Sequence, residues 1–170
     1  MRPNLPLRIA LFILAIAASS IAGAFVIEML GFAPCELCLK ERIPYYAAIP
    51  FAGLAVLSAA RGPRSLVRAA FSILAAIFVA SAGFGVYHAG IEWGFWPGPK
   101  ECSGALDRAA SVSDFLKQLQ SVKVARCDSA ALRILGLSLA GWNAVISVGL
   151  AALAVKGTRN CKARVPLDNH

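Results

Sequence analysis

Cys35-Glu36-Leu37-Cys38 sets two thiols three residues apart, and Arg42 follows Cys38 by four residues. A dithiol of this spacing can close into a strained disulfide. It commonly stands where a helix begins, and there the partial positive charge of the helix N-terminus favours thiolate. With Cys38 to Arg42 forming one helical turn, the guanidinium shares a face with the sulfur and lowers its pKa further. Redox exchange, a structural disulfide and half of a zinc site are all open to so short a motif. The remaining cysteines are Cys102, Cys127 and Cys161. Zinc held by four cysteines usually shows two close pairs, whereas Cys102 and Cys127 are far apart, so no metal is expected.

The elements that must position these thiols are membrane spans. Apolar residues make up 58% of the 170-residue chain and charged residues 15%, against roughly 25% charged in soluble proteins. The apolar residues gather into runs at 9–27, 43–60, 69–91 and 134–155, each long enough for a hydrocarbon core that needs about twenty residues. The first run follows Arg2 and Arg8, and Ala22-Gly23-Ala24 resembles a signal-peptide cleavage site. The run is long for a signal peptide's apolar core, so a retained span is the better reading. Either reading delivers Cys35 and Cys38 to the outer side. The expectation is an all-α membrane protein, a four-transmembrane-helix bundle forming one integral membrane domain over residues 1–170.

The net charge of +8 could suggest nucleic acid, but its placement argues for topology. Arg2, Arg8, Arg61, Arg64, Arg68, Lys156, Arg159, Lys162 and Arg164 flank the spans on one side with only Asp168 for balance, which accounts for the whole +8. By the positive-inside rule this side is cytoplasmic, and both termini lie there. The outer side carries a short loop, residues 31–42, and a long one, residues 92–133. Trp93, Phe95 and Trp96 suit the headgroup layer, and Pro97-Gly98-Pro99 turns the chain before Cys102. Val112, Phe115, Leu116, Leu119 and Val122 recur at helical spacing behind Ser111 and Asp114, which predicts a short amphipathic helix on the membrane surface or a small loop domain. Cys35, Cys38, Cys102 and Cys127 are thus external, where disulfides persist, and Cys161 is internal. Four cysteines allow three pairings, which sequence does not separate.

Arg42, Tyr45, Tyr46 and His88 share the outer level with the CxxC. An ionisable residue within an apolar span is a functional candidate, although an interfacial histidine wetted by headgroups is the plain alternative for His88. Tyr45 and Tyr46 read as ordinary interfacial belt residues. Trp142 and Asn143 lie in the fourth run, where packing and an interhelical hydrogen bond are expected. Pro44 disturbs the preceding turn and leaves open whether Cys38 is helical.

Pro34-Cys35-Glu36-Leu37-Cys38 with Glu41-Arg42, the two separated loop cysteines, Tyr87-His88 and Leu135-Gly136-Leu137 before Trp142 together resemble the DsbB family of disulfide bond formation proteins. The resemblance runs through essentially the whole chain. It implies a multi-pass protein of the bacterial inner membrane that reoxidises a periplasmic DsbA-like thioredoxin-fold protein and passes electrons to ubiquinone or menaquinone, with lipid as its other partner and no nucleic acid. Cys102 and Cys127 match the loop pair that exchanges with the partner, and Cys35 and Cys38 match the quinone-coupled pair, with Cys38 nearest the quinone. Arg42 matches the arginine beside it, and His88 a position near the quinone ring. Pro44 and Cys161 depart from the family pattern. A vitamin K epoxide reductase-like protein shares the chemistry, but its CxxC follows the loop cysteines. A family relative dedicated to one specialised partner and a non-enzymatic scaffold with structural disulfides are the remaining alternatives.

Overall fold

The computed structural model describes residues 5–99 and 126–162. Cys102, the amphipathic stripe of the long loop and the basic residues beyond 162 lie outside the described residues. Among those described, helices α1 (Leu5–Met29), α2 (Glu36–Lys40), α3 (Ile43–Arg61), α4 (Arg64–Glu92) and α5 (Leu139–Lys162) are joined by a two-stranded hairpin, β1 (Arg133–Ile134) and β2 (Leu137–Ser138). Four helical segments are long and apolar enough to cross a membrane, with α2 and α3 counted as one. The chain is a four-helix membrane protein.

The long helices form a ring in which α1 packs on α3, α3 on α4, α4 on α5 and α5 on α1. Without a water-driven hydrophobic force in lipid, helix association depends on close packing, and small inward residues permit it. Helix α3 supplies Tyr45, Ala48, Ala52 and Ala55 to the core, spaced one helical face apart, and Phe71, Leu74 and Phe78 of α4 fill the space these alanines leave. Leu57, Val79, Val86 and Val148 point outward. Large apolar groups on the outer surface suit a lipid solvent. At Gly85 the backbones of α4 and α5 come close: a Cβ there would stand 2.9 Å from the Ala144 backbone nitrogen.

Three local devices set the outer end of the bundle. Gly31, at φ +91°, ends α1 with Phe32 N–H donating to Ile27 O and Gly31 N–H to Glu28 O, a left-handed cap that turns the chain back across the helix ends. Pro44 has no N–H for the Lys40 carbonyl, so the helical path breaks between α2 and α3. The break is slight: Glu41 and Arg42 keep helical backbone angles, and the ladder resumes with Tyr46 N–H on Arg42 O at 3.0 Å.

The third device alters the expected fourth span. That helix begins at Leu139, not at Ile134, because Leu135 (φ 53°) and Gly136 (φ 83°) both adopt the left-handed conformation of a tight hairpin turn. Ser138 Oγ then accepts the Gly141 N–H as an N-cap, and Trp142 Nε1 donates to Ile134 O, pinning the hairpin to the helix. An apolar run alone does not reveal such a turn.

The close approach at Gly85 gives a direct test. Gly85→Ala is expected to destabilise the bundle by about 1–3 kcal/mol through overpacking against backbone. Gly83→Ala, with open space at its Cβ, should be neutral or gain up to about 1 kcal/mol from helix propensity. Unfolding midpoints of the two variants in detergent, compared with the unsubstituted chain, check this.

Candidate active site

Cys35 is the N-cap of α2, extended at φ −76° and ψ 168°, and its Sγ accepts the backbone N–H of Cys38 at 3.2 Å. Cys38 is therefore helical, on the first turn, and the N-terminal partial charge of α2 acts on Cys35 more directly than on Cys38. Behind Cys35, His88 of α4 brings Nε2 to 3.6 Å from Sγ, while its Nδ1 lies 3.1 Å from Glu41 Oε1. His88 is 1% exposed. An imidazolium in this position donates from both nitrogens, to the carboxylate and to the sulfur. A neutral ring can donate Nδ1–H to Glu41 and offer its Nε2 lone pair to the Cys35 thiol.

Hydrogen bonding from the Cys38 side chain, with smaller contributions from His88 and the Cys38 N–H, outweighs burial and holds the Cys35 thiol well below the usual range. Cys35 is thus a readily ionised sulfur and leaves easily when a disulfide between it and a third cysteine is broken. Both Cys35 and Cys38 are free thiols here, and so is Cys161.

Cys127 is disulfide-bonded. It is 1% exposed and packs with Cys35, Leu37 and Ile91 in a small buried cluster, against which Cys38 and Phe84 also rest. The disulfide at Cys127 and the CxxC thus adjoin, although long stretches of sequence separate them. Cys161 lies at the far end of the bundle, where Arg64 and Arg68 approach it.

On its other side Cys38 faces a cavity of about 250 Å³ between α1, α3 and α5. Ile21, Ala24, Ile27, Phe32 and Ile146 give it apolar walls, and Glu28, Glu41, Arg42 and Asn143 supply polar groups. Arg42 does not stand as a free cation beside Cys38. Its Nη2 pairs with Glu28 Oε1 at 2.7 Å, and its guanidinium lies 5.5 Å from the Phe25 ring centroid. Arg42 therefore clamps the start of α3 to the end of α1 while its other donors border the cavity. His88 is not among the residues lining this cavity; it lies behind Cys35.

Tyr45 departs from the belt residue expected of it. It is 4% exposed, donates to Asn143 Oδ1 at 2.8 Å and pairs with Ser147 Oγ at 3.1 Å, and Ser147 in turn donates to Ser81 Oγ at 2.9 Å. This network ties α3, α4 and α5 together below the thiols, and it contains the interhelical bond expected at Asn143. Asn143 Nδ2 lies toward Glu41 but outside hydrogen-bond geometry, and it is buried without a partner. Tyr46 is exposed. Glu41, quoted only within the motif, and Tyr45, read as a belt residue, are the residues here to which sequence reasoning gave no site role. For Glu41 the signal was a lone carboxylate at the mouth of an apolar run, which needs a partner if it is buried.

The family model of disulfide bond formation protein DsbB matches residues 6–157. The chain belongs to this family. Curated relatives named disulfide bond formation protein B include one from Verminephrobacter eiseniae, 29% identical over 167 residues that cover 93% of this chain and 90% of the relative. Another from Stutzerimonas stutzeri is 27% identical over 153 residues, covering 86% of this chain and 91% of the relative. One from Marinobacter nauticus is 30% identical over 137 residues, covering 76% and 78%. No solved structure matches the chain. Family membership makes the chain a disulfide oxidoreductase of disulfide bond formation, carried by a multi-pass membrane protein.

The low-lying Cys35 thiol yields a measurable consequence. In the reduced protein, ultraviolet thiolate absorbance is expected to persist as pH falls well below the ordinary thiol value of about 8.5. His88→Ala, which removes one of the donors, should move this titration upward. A titration of Cys35 at the ordinary thiol value would contradict the assignment.

Proposed function

We propose that this protein carries two electrons from a periplasmic DsbA-like thioredoxin-fold protein, through two pairs of cysteines, to a membrane quinone. The observation that carries the reading is the continuity of sulfur and cavity: Cys127 packs on Cys35, Cys35 is joined to Cys38, and Cys38 lines the cavity. The cavity fits a flat, lipid-soluble ring bearing carbonyl oxygens. Its walls are mostly apolar, Arg42 supplies N–H donors, and the buried Asn143 amide has a donor with no partner. Arg42 and Asn143 would hold such oxygens, and the apolar faces of α1 and α5 would take the ring and tail. A bound quinone supplies the sink for two electrons and two protons.

The thiol chemistry follows from the neighbours. A partner thiolate attacks the proposed Cys102–Cys127 disulfide at Cys102 and releases Cys127 as thiolate beside Cys35. Cys127 attacks the Cys35–Cys38 disulfide at Cys35, and Cys38 leaves as a thiolate at the cavity wall. The partner's second thiolate then displaces Cys102, which attacks Cys127 and releases Cys35. The partner gains a disulfide, Cys102 and Cys127 regain theirs, and Cys35 and Cys38 hold the electrons as a dithiol. The Cys38 N–H and His88 stabilise the Cys35 thiolate in the releasing step, because both stand within reach of its sulfur. Free Cys35 and Cys38 beside a disulfide-bonded Cys127 correspond to this last state.

Sidedness follows from charge. Arg61, Arg64, Arg68, Lys156 and Arg159 lie at the bundle end opposite the CxxC, which supports a cytoplasmic location for that end and both termini, and a periplasmic location for the redox cysteines in a bacterial inner membrane.

With purified protein, a reduced thioredoxin-like partner and a soluble quinone, quinone absorbance is expected to fall only when the partner is present. Cys38→Ala should abolish that loss, and unchanged turnover in this variant would reject the scheme. Arg42→Ala should raise the KM for quinone by tenfold or more while leaving partner exchange, followed by thiol trapping, within about twofold; one N–H···O contact to a carbonyl group accounts for about 1.5 kcal/mol of this.

A further inference from the structure

The dithiol form groups its two sulfurs with a histidine as a set of metal ligands. Cys35 Sγ, Cys38 Sγ and a His88 ring nitrogen all lie within 4.8 Å of one another. The Cys35 Sγ to His88 Nε2 separation is 3.6 Å. A tetrahedral zinc ion with bonds of about 2.3 Å to sulfur and about 2.0–2.1 Å to nitrogen has a sulfur-to-nitrogen edge of about 3.5 Å. The two atoms thus already stand at the spacing a cation between them needs.

The surroundings also suit a cation. His88 Nδ1 is hydrogen-bonded to Glu41 Oε1 at 3.1 Å, which orients the ring with Nε2 toward the sulfurs. A carboxylate behind a ligating histidine fixes the tautomer and raises ligand basicity. The Cys38 N–H on Cys35 Sγ stabilises a thiolate ligand. His88 and Cys35 are both buried, so one ring and one sulfur of the set are held among packed neighbours. Three protein ligands leave a fourth position, which water can take from the cavity that Cys38 lines.

We propose that the reduced Cys35–Cys38 pair and His88 form a binding site for one thiophilic divalent cation, Zn²⁺ being the probe, and that its occupation blocks reoxidation of the pair. Binding displaces into solvent whatever protons the two sulfurs and His88 Nε2 still hold and leaves the zinc redox state unchanged, so affinity rises with pH. Once both sulfurs are ligands, neither is free to form the disulfide, and turnover stops until a chelator removes the ion. This differs from the four-cysteine zinc site set aside on spacing, since the loop cysteines take no part. The proposal rests on the reading above only for the inhibition; binding itself requires only that the pair be reducible and that His88 stand beside it.

The test uses the full chain in detergent with Cys102→Ser and Cys127→Ser, which keep the outer pair out of the titration. After reduction and removal of reductant, competition with a chromophoric chelator is expected to show one Zn²⁺ per chain. Oxidation of the same sample with diamide should remove that site, and His88→Ala should weaken it at least tenfold. Absence of the site in the dithiol form, equal binding after diamide, or equal affinity in His88→Ala would each overturn the proposal. Should the double variant fail to fold, Co²⁺ added to the reduced unsubstituted chain gives a second reading. Tetrahedral thiolate bands that diamide abolishes and His88→Ala shifts support the site, and bands indifferent to His88 refute it. Partner-dependent quinone loss without added metal is measured in parallel. Its failure alongside intact zinc binding would reject the electron-transfer reading alone, and normal turnover without zinc binding would reject the metal site alone.

Discussion

The outer end of this bundle depends on keeping charge near an apolar medium. A thiol, an imidazole and a carboxyl group lie in line as Cys35, His88 and Glu41, each with little access to water. Burying any one of them without a partner costs several kcal/mol, and burying them in contact recovers much of that cost. The chain therefore has to bring α2, the α2–α3 junction and the end of α4 to one place. Gly31 turns the backbone after α1, and Pro44 interrupts the ladder between α2 and α3. The ring of four helices supplies the rigid floor.

The same arrangement separates the duties of the two CxxC sulfurs. Cys35 looks toward the disulfide at Cys127 and is readily ionised, while Cys38 looks into the cavity. A helix N-terminus and a nearby arginine would, from their spacing, both act on Cys38. Instead the N-cap position assigns the helix end to Cys35, and Glu28 neutralises the arginine. Arg42 is consequently a clamp between helices as well as a cavity donor. Its partners lie on α1, which a linear reading of the motif cannot include.

Below the thiols, the hydroxyl and amide network of Tyr45, Asn143, Ser147 and Ser81 holds three helices in register. Such bonds in a membrane bundle contribute modestly to stability, of order 1 kcal/mol each. Their larger effect is positional, because they set where the cavity wall formed by Tyr45 and Asn143 stands relative to Cys38.

Composition and the length of the apolar runs determined the four helices, since a continuous run of about twenty apolar residues satisfies its own backbone in lipid as a helix. The placement of arginines and lysines set the expected sidedness, and the spacing of cysteines with Glu41-Arg42 pointed to the family that the comparison establishes. What sequence left open were relations between residues distant along the chain. The burial of Tyr45, the pairing of Arg42 with Glu28, the position of His88 behind Cys35 rather than at the cavity wall, and the contact of Cys127 with Cys35 all depend on how helices rotate and abut. Even the start of α5 turned on two left-handed residues inside an apolar run. Hydrophobicity dictates that a helix is buried in lipid, but it is nearly silent on rotation. Rotation is decided by which small residues allow close approach and which polar groups must find one another, and that is settled only when all four helices are packed together.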